Sequence, residues 1–152
     1  MHFAFATGTM IVLPLLSILA EYLWQPDADL FMLVGKWFVF CGIGVRLFIA
    51  GCVQFARPSV TSSGIFGIKD RGAEKVVVEL GSANICMGAV ALCSLFIPEW
   101  IAPAGIAGGG FLGLAGLKHL GNSGRNTKQN VAMVTDFIVA AMVIVYLVSL
   151  FR

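Results

Sequence analysis

The sequence predicts an all-α protein, an integral membrane bundle of five transmembrane helices. Three observations predict it. Of 152 residues, 59% are hydrophobic and only 12% charged, whereas soluble domains run near 45–50% apolar and about 25% charged. The apolar residues are gathered into runs close to the roughly 20 residues that cross about 30 Å of hydrocarbon. The cations outside those runs fall on alternate connections, as the positive-inside rule requires. The chain is too apolar for disorder. A net charge of only +2 argues against a nucleic-acid binder, so the partner to expect is the lipid bilayer and no nucleic acid.

The elements follow in order within a single domain, 1–152. Residues 3–24 form an apolar run interrupted only by Pro14 and Glu21, and Gln25-Pro26-Asp27-Ala28-Asp29 ends it. Its start offers His2 instead of Lys or Arg and no convincing A-x-A site precedes Tyr22, which argues against a cleaved signal peptide. Residues 30–55 are apolar except for Lys36 and Arg46, and Lys36 is expected to snorkel outward near Glu21 or Asp29. Spans at 77–97 and 101–120 are divided by Pro98-Glu99-Trp100, a polar break with a tryptophan suited to the interface. A last span at 130–151 carries Asp136. Arg57, Lys69, Arg71 and Lys75 lie in the 56–76 connection; Lys118, Arg125 and Lys128 follow the fourth span. Both regions are therefore expected in the cytoplasm, with the N-terminus inside and the C-terminus outside. The 56–76 connection mixes glycines and cations with Ile65, Phe66 and Ile68. It reads either as a segment lying on the membrane surface or as an ordinary polar connector.

Gly105, Gly109 and Gly113 recur every four residues in the fourth span. In lipid, small residues at that spacing let backbones approach, either inside the bundle or at a homodimer seam. Gly42 and Ala50 flank Arg46 in the same way.

Ionisable residues inside a span are the functional pointers, since each costs roughly 2.5–3.5 kcal/mol at a helix centre on insertion scales. Arg46, Glu79, His119 and Asp136 fall toward the cytoplasmic half, with Asn84 adding an amide on another face from Glu79. They are expected to form one polar cluster. Such a cluster either handles protons or a ligand, with His119 and a carboxylate exchanging protons, or locks the bundle through an ion pair from Arg46. Two histidines, one of them His2, cannot supply a bis-histidine haem site. Cys41, Cys52, Cys86 and Cys93 lie in apolar spans with no C-x-x-C pair, so no metal site is expected and the thiols read as buried and inert. No phosphate-binding Gly-Lys-Ser/Thr follows the glycines.

From Val45 onward the chain resembles a family of small bacterial membrane proteins similar to the DoxX-like group. The carrying residues are Glu79-Leu80-Gly81-Ser82-Ala83-Asn84 with Gly88, then Gly116-Leu117-Lys118-His119, then Asn130 with Asp136. The resemblance implies a four-helix core of the second to fifth spans, with the first span an addition. It departs where the family often has a proline after the aspartate, since Phe137-Ile138-Val139-Ala140 stands here, and no histidine follows Arg46. Some DoxX-like proteins resemble redox-enzyme subunits, so a quinone or lipid is the bound molecule that the analogy leaves open. No cofactor is otherwise called for. The expected function is that of a non-enzymatic accessory or partner-binding membrane protein, self-associating or joined to a partner subunit. The alternatives are a small proton-coupled transporter or channel, or a quinone- or lipid-linked redox subunit.

Overall fold

A computed structural model describes residues 7–152, and all regular structure among them is helical. The predicted first span therefore begins, with His2, outside the described residues. Six helices follow one another: α1 (Gly8–Trp24), α2 (Leu30–Ala56), the single turn α3 (Ser59–Ser62), α4 (Arg71–Cys93), α5 (Pro98–Leu120) and α6 (Thr127–Ser149). The four helices α2, α4, α5 and α6 are long and apolar enough to cross a membrane, while α1 is shorter.

Local chemistry sets the helix starts. Asp29 Oδ1 accepts the backbone N–H groups of Phe31 and Met32 at 2.7 and 3.2 Å and so caps α2. Pro98 occupies the first turn of α5, where its missing N–H costs nothing. The chain break thus precedes Pro98-Glu99-Trp100, which is already a helical turn. Asn126 and Gln129 close a reciprocal capping box on α6 at 2.9 and 3.1 Å. That cap starts the last helix at Thr127 and not at 130. Helix α4, at the expected third span, likewise begins at Arg71 and not at 77, with Glu74 in its first turn against the helix dipole. The expected 56–76 connection is consequently shorter and holds α3.

Glycines fix how the helices pack. The closest backbone approach between helices pairs α2 with α4 in antiparallel fashion. A Cβ on Gly88 would lie 2.5 Å from the Phe48 backbone nitrogen, and one on Gly51 would lie 2.6 Å from the Gly81 carbonyl oxygen. A Cβ on Gly44 would meet the Leu92 nitrogen at 3.0 Å. Two heptad-spaced pairs, Gly44/Gly51 and Gly81/Gly88, therefore bring two backbones together, which is the main source of helix association in lipid. The Gly105, Gly109 and Gly113 stripe of α5 faces α6 instead, with Cβ positions 3.1, 3.1 and 3.5 Å from Val143, Val143 and Ala140. Gly35 meets Tyr146 and Gly42 meets Val139, so α2 also runs antiparallel to α6.

Three helices contain wide, π-type turns: Gly8–Val12 in α1, Phe38–Val45 in α2 and Gly105–Gly109 in α5. The turn of α2 packs on both of the others. Phe38, Val39, Ile43, Val139 and Val143 close the core around it, and Met10 brings α1 into the same cluster.

Candidate functional site

Register decides which polar residues share a depth. Gly42 opposite Val139 places Arg46 level with Asp136. Each lies about 13–15 Å from the basic end of its own helix, from a rise of about 1.5 Å per residue. Asp136 is 4% exposed, and the Arg46 and Asp136 charges act on one another. They do not form a direct ion pair within 4 Å; among the described residues that contact belongs to Lys36 and Glu21. The Arg46 Nε and Asp136 Oδ1 atoms are buried without hydrogen-bond partners. Arg46 also follows directly on the wide turn of α2. The site is thus a guanidinium and a carboxylate from two helices, brought together without being locked.

The single cluster expected from the sequence does not form. Glu79 is exposed. A Cβ on Gly81 would lie 2.9 Å from the Phe55 nitrogen, which places Glu79 near the end of α2, about 16 Å along the axis from the level of Arg46. Asn84 is buried but makes its own pair, donating to Gln54 Oε1 at 2.7 Å. That pair lies about 12 Å along the axis from Arg46. Its Oδ1 has no partner. His119 is half-buried in the last turn of α5, where the charge acting on it is that of Arg125. Arg125 Nη1 reaches the carbonyl oxygens of His119, Leu120 and Asn122 at 3.0, 2.7 and 2.7 Å, and its Nε donates to Asn130 Oδ1 at 2.9 Å. These bonds satisfy carbonyls that a helix end leaves free, and they give His119 and Asn130 a shared structural neighbour.

Two of three further polar arrangements lay beyond the sequence reading; the third, Lys36 near Glu21 or Asp29, is one it expects. Gln54 was the missing partner of Asn84; an amide four residues or fewer from a helix end gave little reason to be singled out. Glu21 accepts Lys36 Nζ at 2.7 and 2.9 Å and Trp37 Nε1 at 2.7 Å, choosing Glu21 over Asp29 for the lysine. Ser82, Ser94 and Thr135 return their hydroxyls to carbonyls of their own helices. The thiols need correction as well. Only Cys41 is buried, whereas Cys52, Cys86 and Cys93 point out of the bundle, because they lie on the helix faces turned away from the glycine contacts. The Gly105, Gly109 and Gly113 stripe is occupied by α6 within the chain.

The chain matches no protein-family model, no curated protein and no solved structure.

Proposed function

We propose that the chain is a five-span protein of the bacterial inner membrane, with a cytoplasmic N-terminus. In this reading it acts as a non-enzymatic accessory or partner-binding subunit. The observation that carries the membrane reading is the distribution of polarity: apolar side chains outside, polar ones paired within. Leu23 is 71% exposed, Ile106 63%, Leu114 69% and Ile144 59%. In water such a surface would far exceed the apolar patch of an ordinary monomer, and lipid removes that cost. Inside, Asn84 donates to Gln54, and Glu21 accepts from Lys36 and Trp37. Polar groups that serve one another organise a bundle without performing chemistry.

Reporter fusions test the topology. A phosphatase joined after Arg152 is expected to be active outside, and a cysteine at Gly64 to label only from the cytoplasmic side. A cytoplasmic Arg152 would overturn the five-span arrangement. Cross-linking in native membranes is expected to trap a defined assembly; a monomer throughout would remove the accessory role.

The proton-coupled alternative draws support from one specific observation: half-buried Arg46 and buried Asp136 stand at one level without a direct bond, with Arg46 Nε and Asp136 Oδ1 buried and unpartnered. The two readings separate in proteoliposomes. For an accessory protein, Asp136→Asn and Arg46→Gln lose stability and wild type carries no proton flux. For a transporter, wild type dissipates a pH gradient and Asp136→Asn, still folded, does not.

A further inference from the structure

The end of the bundle that carries the basic connections holds groups that the packing leaves over. Ile65 O accepts the side-chain amides of Asn126 and Gln129 at 3.2 Å each, and the Lys128 ammonium reaches Gly64 O at 3.3 Å. The connection between α3 and α4 is therefore held against the start of α6. Beyond that anchor, Gly67 turns the chain with a φ of +72°, a conformation that glycine adopts without steric cost. The side chains on either side of it, Phe66 and Ile68, are both exposed. Arg57 at the end of α2, Lys69, Lys75 in the first turns of α4 and Lys128 are exposed too. None of them has a carboxylate within 4 Å among the described residues. Asp70 and Glu74 are interleaved with these cations, but they stand at the N-terminus of α4, where the partial positive charge of the helix end offsets them.

Resting on the membrane reading above, we infer that this end is a binding surface for anionic phospholipid headgroups. Phe66 and Ile68 enter the interface beside the acyl chains, while Arg57, Lys69, Lys75 and Lys128 meet the phosphates. Two observations favour lipid over an acidic protein. The exposed apolar pair belongs to a segment fixed to the bundle end, and the cations stand at the termini of helices long enough to span the bilayer. A basic segment with adjacent apolar side chains at the cytoplasmic surface draws on both charge attraction and apolar insertion.

The test uses the full chain in nanodiscs of phosphatidylcholine, with and without phosphatidylglycerol, read by native mass spectrometry of the lipids retained after release. Wild type is expected to retain phosphatidylglycerol over phosphatidylcholine. Lys69→Gln, Lys75→Gln and Lys128→Gln are expected to lower that retention about fivefold per cation removed, and salt to lower it further. Phe66→Ser with Ile68→Ser lowers retention of both lipids, and helicity by circular dichroism verifies that each variant is folded. Equal retention of the two lipids by wild type, or no loss in the folded triple variant, overturns the inference. So does binding of a polyglutamate peptide that outcompetes phosphatidylglycerol, which would make the surface a protein-docking site. A chain that is absent from the membrane fraction, and extracted by alkaline carbonate, defeats the membrane reading itself; a membrane-embedded chain indifferent to phosphatidylglycerol defeats only this inference.

Discussion

Adding one methyl group at Gly88 should unseat the contact between α2 and α4. The new Cβ would stand 2.5 Å from the Phe48 nitrogen, 2.8 Å from its Cα and 2.9 Å from its Cβ. Ordinary carbon contacts need about 3.5–4.0 Å, so the helices must separate by about 1 Å there. The obstructing atoms are chiefly backbone, which cannot rotate aside as a side chain can. Overpacking of this kind costs about 1–3 kcal/mol. An alanine in a helix recovers up to about 1 kcal/mol relative to glycine, leaving a net loss of about 0–2 kcal/mol. Separation also loosens Gly51 against Gly81, about two turns away, so the upper part of that range is expected.

The control lies in the same protein. A Cβ on Gly110 meets nothing within 4 Å, and one on Gly113 meets Ala140 Cβ at 3.5 Å, an ordinary contact. Gly110→Ala and Gly113→Ala should therefore be neutral or slightly stabilising. Unfolding in mild detergent, titrated with a denaturing detergent and followed by circular dichroism, ranks the three variants. If Gly88→Ala proves as stable as Gly110→Ala, the claim that backbone proximity at this seam holds the bundle together is wrong.

Other consequences are smaller in scale. Asn84→Leu alone should cost about 1–3 kcal/mol by stranding the Gln54 amide, while adding Gln54→Leu should recover most of it; a double-mutant cycle on thermal unfolding measures the coupling. Glu21→Gln keeps one acceptor for Lys36 and Trp37 but removes the charge, and should weaken α1 on α2 by about 1–2 kcal/mol, seen as faster proteolysis between residues 24 and 30. Arg125→Ala should free the terminal carbonyls of α5 at a cost of about 1–2 kcal/mol. Hydrogen exchange should then quicken at residues 117–122 and stay unchanged in α4.

Helix identity was legible because a membrane span is announced by composition over some 20 residues, and α2, α4, α5 and α6 each carry that signal. Their first turns were not. Arg71–Lys75 and Thr127–Asn130 are polar, so a reading based on hydropathy ends the helix where the oil ends. Caps extend it: Asn126 with Gln129 satisfies the first backbone donors whether or not lipid surrounds them. The wide turns of α2 and α5 had no clear signature beyond their glycines. The four-residue repeat of Gly105, Gly109 and Gly113 drew the eye in the sequence, yet the tighter seam is the seven-residue repeat of Gly44/Gly51 and Gly81/Gly88. A spacing of seven is two helical turns and keeps small residues on one face as faithfully as four does, with more intervening residues to hide it.

The same seam explains why scarcity of charge identified Arg46 and Asp136 but misjudged Glu79. Hydropathy gives each residue a depth from the end of its own apolar run, as though every helix began at one plane. Packing sets depth by contact instead. With Gly81 against Phe55 and Gly88 against Phe48, α4 is displaced toward the basic end and carries Glu79 out of the core. Sliding α4 by one heptad would bring Glu79 within about 6 Å of Arg46 along the axis. It would also put Glu74 where Gly81 now stands, a place where even a bare Cβ would lie 2.9 Å from Gln54 Cβ and from the Phe55 nitrogen, and the seam has no room for a side chain there. Two glycines on each helix thus admit one register, and that register reserves Arg46 for Asp136. The polar site is selected by where the chain has no side chains at all, which is why an inventory of charged residues finds its members but not its membership.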